Sequence, residues 1–424
     1  MRQAKILALL FCLTLLIGCG GDATRPVVSF AIFGEPAELA AYQELVAAFA
    51  AAHPEIEIDL RHVPGQSEYR QRLATEFSAG QPPDVMLLNY RRMAPFAVEG
   101  GLEPLAPYLR ESGVIQPADF YPVTLQAFTF DGQLWCIPQN MSSLVVYYNQ
   151  DLFAAAGLAA PAPDWTWADF LDTARALTRD TDGNGQIDQY GAGIDASLYR
   201  LAPFVWQNGG QLVDDAAAPT RLALDEAAAR AALQWFVDLQ VTEQVVPDAV
   251  AEAAEGSESR FLNGRLGMFF DSRRGVPTYR TIEGFRWDVA PLPVGEERAG
   301  ILHSDGYCMA AATENKEAAW TFIEFANSEV GQRIIARTGR TVPSLSAVAE
   351  SADFLDPTYP PAHSRVFIDY AADMRLVPVM PGWPAIEEVV DREIERAFYG
   401  RTSTAEAVTS AMSLAAPYFS QFPP

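Results

Sequence analysis

The chain from residue 27 to residue 88 alternates β-rich runs with amphipathic stretches. Residues 27–33 are predicted to be a strand, and residues 37–52 place apolar side chains at helical spacing on one face. Strict alternation predicts a second strand at residues 55–60, and a third follows at residues 84–88. This β-α-β-α-β order predicts an α/β fold with a mostly parallel sheet and helices on its faces.

The same alternation continues to the C-terminus. Thr166 and Asp169 have the spacing of a capping box, which predicts a helix that runs to Thr178. Further helices are predicted at residues 225–240, 316–327 and 384–399, and strands at residues 264–271, 285–290 and 306–312. Residues 249–259, rich in Ala, Glu, Gly and Ser, are predicted to form a mobile loop.

The N-terminus has the features of an export signal. Arg2 and Lys5 precede an apolar run at residues 6–17, which is shorter than the roughly 20 residues that a membrane-spanning helix needs. Residues 1–18 are therefore predicted to be a signal peptide. The run ends in Leu-Ile-Gly-Cys, which resembles a bacterial lipobox, so Cys19 is predicted to carry the lipid and residues 19–26 to form a short linker. An ordinary secretory signal with a chance cysteine is the alternative.

Composition and charge narrow the class of protein. The 424 residues are 49% hydrophobic and 20% charged, which is typical of a globular protein and sufficient for two domains. A formal net charge of −24 repels phosphate backbones and anionic lipid headgroups. We therefore expect no binding to nucleic acid.

Sequence motifs give no sign of catalysis. The chain has no GxSxG, HExxH or P-loop motif, and its four histidines are scattered singly, whereas a zinc site would group them. Apart from Cys12 and Cys19 in the N-terminal segment, the cysteines are Cys136 and Cys308. Both lie in apolar, strand-like runs of an exported chain, so a disulfide and two buried thiols both fit.

A series of phrases, in order, is similar to the family 1 extracellular solute-binding proteins, the sugar-binding receptors of bacterial ABC importers. They include FGEPAELAAYQELVAAFAAAHPEIEIDL, PPDVMLLN, GGLEPLAPYL, FDGQLWCIPQNMSSLVVYYNQDLFAAAGL, TWADFLDTARALTRDTDGNGQIDQYG, FLNGRLGMFFD, WDVAPLP and TGRTVPS. The resemblance implies a two-lobe periplasmic-binding-protein fold of type II, with a hinge and an interlobe cleft. It places the N-terminal lobe at residues 27–145 and 300–345, and the C-terminal lobe at residues 146–299 and 346–424.

The resemblance also implies how such a protein works. A carbohydrate that touches both lobes favours the closed state, and the membrane permease of an ABC importer then recognises that state. There is no reaction in this mechanism and no required cofactor. The protein would act outside the cytoplasm, attached to the cell membrane through its lipid.

Candidate ligand-binding residues follow from the chemistry of sugars. Hydroxyl groups need carboxylate, amide and hydroxyl partners, and the apolar ring face packs on aromatic side chains. Side chains of these types, together with one arginine, follow strands, flank turns or start helices at Glu35, Asn89, Tyr90, Asn140, Ser142, Trp206, Asp271, Arg273, Asp305, Tyr307 and Trp383. In the family an aromatic residue often follows the position of Asp271; here SRRG follows, which favours a smaller or more polar ligand.

The stretch DTDGNGQIDQYG, residues 180–191, has the spacing of a calcium-binding loop. The ligand positions would be Asp180, Asp182, Asn184, Gln186 and Asp188, with Gly185 at the turning position. The twelfth position, which normally holds a bidentate glutamate, is glycine. A structural calcium site and an Asx-rich turn without metal both fit.

Two alternative functions stay open. The same kind of receptor could bind glycerol phosphate or a polyol, and Arg273 beside a phosphate would favour the former. A surface carbohydrate-active enzyme would instead need two carboxylates roughly 5–10 Å apart across the cleft.

Overall fold

The computed structural model describes residues 25–421 and has two mixed β-sheets. The spatial order of the first sheet is Glu57–Val63, Val27–Phe33, Val85–Asn89, Asp305–Met309 and Cys136–Pro138. Its first three strands are parallel, and Asp305–Met309 runs antiparallel to both of its neighbours. The parallel part is the β-α-β-α-β start that the sequence predicts.

The second sheet has four strands. Their order is Trp287–Ala290, Val145–Asn149, Leu266–Asp271 and Tyr190–Gly193, and only the last two are parallel. Two-residue strands pair Thr129–Phe130 with Gln133–Leu134 and Gly300–Ile301 with Met374–Arg375. The sheets are thus less parallel than predicted, because strands that arrive from the opposite sheet enter antiparallel.

Helices cover both sheets and define two lobes. The first lobe contains Pro36–Ala52, Gln66–Ser78, Tyr90–Val98, Ala106–Glu111, Pro122–Ala127, Lys316–Ala326, Glu329–Ala336, Ser346–Ala349 and Ala352–Leu355. The second contains Gln150–Ala155, Trp167–Leu177, Leu198–Gln207, Ala227–Val241, Ala249–Ala254, Ser257–Leu262, Val276–Tyr279, Val366–Asp369, Trp383–Phe398 and Thr404–Gln421. Short 3-10 helices lie at Pro117–Asp119, Arg273–Gly275 and Ala371–Asp373.

Two of the segments that connect the lobes lie side by side, and a third segment of the first lobe pairs with them. Residues 139–144 lead directly from the first sheet to the second, residues 300–304 return, and residues 340–343 follow the last long helices of the first lobe. Ser142 pairs with His303, and Asn140 pairs with Pro343. We call residues 139–144, 300–304 and 340–343 the hinge segments.

Local sequence signals explain several boundaries. Thr166 and Asp169 form the predicted capping box: the Asp169 carboxylate accepts from the Thr166 backbone N–H at 2.8 Å. The predicted mobile loop at 249–259 is wrong, since the structure has helices Ala249–Ala254 and Ser257–Leu262 there. Asp248 caps the first of them by accepting from two backbone N–H groups.

The residues just after 345 contact the first lobe. Ser346 donates its hydroxyl proton to the Asp119 carbonyl at 3.1 Å, and Asp353 pairs with Arg333 at 2.5 Å. Both contacts attach this stretch to the first lobe. Short helices after residue 345 are thus part of the first lobe's packing.

Cys136 and Cys308 lie directly opposite each other on adjacent antiparallel strands and form a disulfide. Their Cα atoms are 4.3 Å apart. Of the two arrangements that the sequence allows, the structure has the bridged one.

The predicted signal peptide, the lipidation of Cys19 and most of the linker lie outside the described residues. Between residues 25 and 421, no helix has both the length and the apolar character required to span a membrane.

Candidate functional site

A cavity of about 350 Å³ lies between the lobes, and residues of the hinge segments form part of its lining. Both lobes contribute to its lining. The carboxyl end of strand Val85–Asn89 opens into it, as ligand sites in open α/β sheets usually do. Its size falls within the range of small-molecule sites in proteins.

Charged side chains dominate the lining. They comprise the arginines Arg91, Arg200, Arg274 and Arg340 and the carboxylates Glu38, Asp195, Asp271, Asp305, Glu387 and Asp391. Three of the four arginines form ion pairs with cavity carboxylates. Arg274 has no carboxylate within ion-pair distance among residues 25–421.

On the first lobe, Asn89 and Asp305 end two neighbouring strands in register. The Asn89 amide donates to the Asp305 carboxylate at 3.1 Å. Nearby, Arg340 pairs with Glu38. Burial raises the pKa of Glu38, opposed by the charge of Arg340, and burial lowers the pKa of Arg340. Glu38 and Arg340 thus form a desolvated ion pair on the first-lobe side of the cavity.

On the second lobe, Arg200 lies between two carboxylates. Its guanidinium is 3.1 Å from Asp195 and 3.3 Å from Asp271. The Tyr279 hydroxyl donates to Asp271 at 2.7 Å. Burial raises the pKa of Asp271, while Arg200 opposes the shift.

A third cluster joins the two lobes. Arg91 of the first lobe pairs with Glu387 of the second, and Arg92 lies 3.7 Å from the same carboxylate. One helical turn further, Asp391 accepts from the Leu198 backbone N–H at 2.7 Å. Burial raises the pKa of Asp391 to about 6.

Tyr199 and His303 complete this cluster. The Arg91 guanidinium carbon lies 3.6 Å from the centre of the Tyr199 ring, and the His303 ring stacks on it at 4.5 Å. Burial and, to a lesser extent, the charges of Arg200 and Arg91 keep the pKa of His303 well below its usual range. His303 is therefore neutral at physiological pH.

Three buried polar atoms of the cavity lining have no hydrogen-bond partner among residues 25–421. They are Arg340 Nη2, His303 Nε2 and Glu387 Oε2. Because an unpaired buried polar group costs about 1–3 kcal/mol, such atoms are rare in folded proteins. All three belong to residues that line the cavity, so small movements of these side chains would make the atoms available to a polar small molecule.

Residues 34–333 match the family model of the bacterial extracellular solute-binding proteins. This chain belongs to that family. A putative binding protein of Brucella abortus is 23% identical over 364 residues, which cover 85% of each chain. A mannitol-binding protein of Pseudomonas aeruginosa is 23% identical over 403 residues, covering 87% of this chain and 88% of that protein.

Solved structures show the same fold. An ABC substrate-binding protein of Listeria monocytogenes, in complex with cycloalternan, superposes with a TM-score of 0.85 at 22% identity and covers 93% of this chain and 99% of that one. The predicted two-lobe α/β fold and the resemblance to solute-binding receptors are confirmed. These relatives are binding proteins, so the prediction that the chain is not an enzyme is also confirmed, and members of the family generally need no cofactor.

Five of the predicted ligand-binding residues of this solute-binding protein line the cavity: Asn89, Asn140, Ser142, Asp271 and Asp305. Each begins, ends or follows a strand. Two of them are hydrogen-bonded to each other: the Asn140 side-chain oxygen accepts from the Asp305 backbone N–H at 3.1 Å. Polar residues at strand ends thus form part of the cavity lining.

Six others lie outside the lining: Glu35, Tyr90, Trp206, Arg273, Tyr307 and Trp383. Glu35 is exposed where the first helix begins, and Tyr90, Tyr307 and Trp383 are fully buried. Trp206 is also buried, at the edge of a separate groove beside residues 374–381.

Arg273 is buried in the second lobe and is hydrogen-bonded there. Its Nε donates to the Gly339 carbonyl at 2.7 Å, and Nη1 donates to the Ser364 hydroxyl at 2.9 Å. Burial lowers the pKa of Arg273 to about 9. The next residue, Arg274, is the one that lines the cavity.

Sequence reasoning missed the residues of the interlobe cluster, among them Arg91, Tyr199, Glu387 and Asp391. One signal was available. Trp383, Glu387 and Asp391 are spaced by four residues, so acidic side chains follow the proposed tryptophan along one helix face. Arg91 had a weaker signal, as the second residue after the strand-ending Asn89.

The acidic loop lies on the surface of the second lobe. Carboxylate oxygens of Asp180, Asp182 and Asp188 lie within 4.8 Å of one another. The Asp180 carboxylate accepts from the backbone N–H groups of Gly183 and Gly185. This arrangement is compatible both with an Asx-rich turn without metal and with a set of oxygen ligands for calcium.

Proposed function

We propose that this protein is the extracytoplasmic solute receptor of an ABC importer and binds a sugar or polyol in the interlobe cavity. The observation that carries the proposal is the set of three unpaired buried polar atoms, Arg340 Nη2, His303 Nε2 and Glu387 Oε2. The arginine needs an acceptor, and the carboxylate oxygen needs a donor. Hydroxyl groups supply both, so a polyhydroxylated solute matches the set.

Charge supports a solute that is neutral. Arg91, Arg200 and Arg340 are already paired with carboxylates, so a neutral ligand does not have to compensate a buried charge. The ion pairs also fix the orientation of donors and acceptors before the solute arrives. The names of two relatives agree, since one binds mannitol and the other was solved with cycloalternan.

The position of these groups supports closure on binding. Arg91 lies in the first lobe, and Glu387 lies in the second lobe. Arg340 and His303 lie in the hinge segments. A solute that contacts all of them binds the closed arrangement better than an open one. The membrane permease then recognises the closed form.

Export and membrane attachment belong to the same proposal. The receptor is anchored through lipid on Cys19, and the linker to residue 26 places the lobes next to the outer face of the cell membrane. A structural calcium ion at Asp180, Asp182, Asn184, Gln186 and Asp188 is a subsidiary proposal, supported by the grouping of carboxylates in that loop.

One observation favours a second class of solute. Arg274 lines the cavity without an ion-pair partner among residues 25–421, and an anionic solute such as glycerol phosphate would provide one. Arg273, which the sequence suggests for this role, is bonded elsewhere.

A thermal-shift screen followed by titration calorimetry tests the proposal. The panel should hold neutral sugars, open-chain polyols and glycerol 3-phosphate, since a ligand at a hundred times its Kd stabilises the fold by about 2.7 kcal/mol. We expect a neutral polyhydroxylated compound to raise the melting temperature. Stabilisation by glycerol 3-phosphate alone, lost in Arg274→Gln, would establish the second class, and amino acids or peptides as the sole ligands would refute both.

A further inference from the structure

The Tyr199 ring is covered on both faces. The Arg91 guanidinium carbon lies 3.6 Å from the ring centre, and the His303 ring lies 4.5 Å away with an interplanar angle of 18°. Two planar groups this close to one ring centre would overlap if they shared a face, so they occupy opposite faces. A sugar ring that enters the cavity finds neither face of Tyr199 open.

Arg91 is held over the ring by partners from both lobes. Its Nε donates to the Asn89 side-chain oxygen at 3.2 Å, and its guanidinium pairs with Glu387. The side chain of Arg91 is 15% exposed. A cation fixed by two partners over an aromatic ring is a stable arrangement and not a passing contact.

The other aromatic rings of the described lining are no better placed for stacking. Phe33 is 6% exposed and packs on Tyr69 at 5.1 Å. Tyr42 is 4% exposed and packs edge-on against Phe30. The cavity thus offers hydrogen-bonding groups in number but, among residues 25–421, no open aromatic face.

We infer that Arg91 is a specificity-determining residue that covers the stacking surface of Tyr199 and so selects open-chain polyols over pyranose rings. The inference rests on the proposed function. A pyranose owes part of its affinity in binding proteins to packing of its apolar face on aromatic rings. An open-chain polyol has no such face and depends on hydrogen bonds, which this cavity supplies.

The test compares D-glucitol with methyl α-D-glucopyranoside by titration calorimetry. Both carry several hydroxyl groups, but only the glucoside has a ring face. The uncovering variant is Arg91→Ala/Glu387→Gln, in which the carboxylate is neutralised so that it is not left as an unpaired buried charge. The matched control is Arg92→Ala/Glu387→Gln, because Arg92 lies near the same carboxylate but does not cover the ring.

We expect the uncovering variant to bind the glucoside at least about tenfold more tightly than the parent and the control do. Adding Tyr199→Leu to the uncovering variant should remove the gain, since the ring provides it. If the double variant does not fold by circular dichroism, Arg91→Gln is measured instead with the same expectation.

Two results would overturn the assignment of Arg91: a glucoside affinity that is equal in parent, control and uncovering variant, or a parent that prefers the glucoside to D-glucitol. Failure of the proposed function looks different. In that case no sugar or polyol of the wider panel stabilises the parent, and both the proposed function and the role of Arg91 are refuted. If the parent binds such a solute but the uncovering variant does not bind the glucoside more tightly, only the role of Arg91 is refuted.

Discussion

Arg91 of the first lobe and Glu387 of the second lobe form a buried ion pair across the cleft. Opening the lobes separates the two charges and hydrates them, while closure must desolvate them again. Because Glu387 is also a residue of the cavity lining, a bound solute next to this pair would favour the arrangement in which the two charges meet.

Stability should depend on the ionisation of Asp391. Burial raises the pKa of this carboxyl to about 6, above its usual value, so folding favours the protonated form. The associated stabilisation is present below about pH 4 and is lost as the pH rises through about 6. Asp391→Asn should therefore increase the free energy of unfolding by about 1–2 kcal/mol at pH 7.5 and leave it nearly unchanged at pH 4.

Urea denaturation at the two pH values measures this difference. Glu388→Gln is the control, because Glu388 lies on the same helix but is exposed. An Asp391→Asn effect of the same size at both pH values would mean that ionisation of this carboxyl is not the cause.

The disulfide should contribute substantially to stability. It joins two strands of the first sheet that are 172 residues apart in sequence. Closing so long a loop restricts the unfolded chain, so Cys136→Ala/Cys308→Ala should lower the free energy of unfolding by about 2–4 kcal/mol. Denaturant unfolding of parent and variant provides the value, and free-thiol titration of the unfolded, non-reduced parent should find no reactive Cys136 or Cys308. Two titratable thiols would contradict the bridge.

Trp383 should act in packing. Its side chain is fully buried at the start of helix Trp383–Phe398 and lies outside the cavity lining. Trp383→Ala should lower the free energy of unfolding by about 3–5 kcal/mol, and Trp383→Phe should lower it less. Solute affinity, measured for whichever variant folds, should change less than about tenfold. A large loss of affinity at unchanged stability would instead give the indole the ligand-stacking role that the sequence suggests.

Calcium binding by the acidic loop would show as a change in melting temperature. If Asp180, Asp182 and Asp188 hold the ion, EDTA should lower the melting temperature of calcium-loaded protein, and Asp182→Ala should abolish the difference. Asp172→Ala, an exposed acid of the preceding helix, is the control. Equal melting curves with and without EDTA would leave the Asx-turn interpretation.

Local signals in the sequence account for much of the fold and for part of the site. Asn89 and Asp305 were predictable because each ends or begins an apolar strand at the edge where ligands bind. The Thr166 cap was predictable because its partner is three residues away.

The interlobe cluster was not predictable in the same way. Arg91, Tyr199 and Glu387 come from three separate helices, and only the packing of two lobes brings them together. The burial of Trp383 and Tyr307 was not predictable for a related reason: an aromatic residue beside Gly or Pro suits a cleft or a core equally, and packing by distant segments decides between them.

The measurement that tests the account most directly compares two ion pairs. Glu38 and Arg340 form a pair that lines the cavity. Glu44, on the same helix as Glu38, pairs at 3.5 Å with Arg337, which lies just before residues 340–343. This second pair is on the surface, with 61% of the Glu44 side chain and 52% of the Arg337 side chain exposed. Titration calorimetry with the best solute from the screen should show that Glu38→Gln/Arg340→Gln weakens binding at least about tenfold, because it removes charge-assisted hydrogen bonds to the ligand. Glu44→Gln/Arg337→Gln should leave the affinity unchanged. Equal affinities in the parent and the cavity variant would contradict the proposal that the solute binds in this cavity.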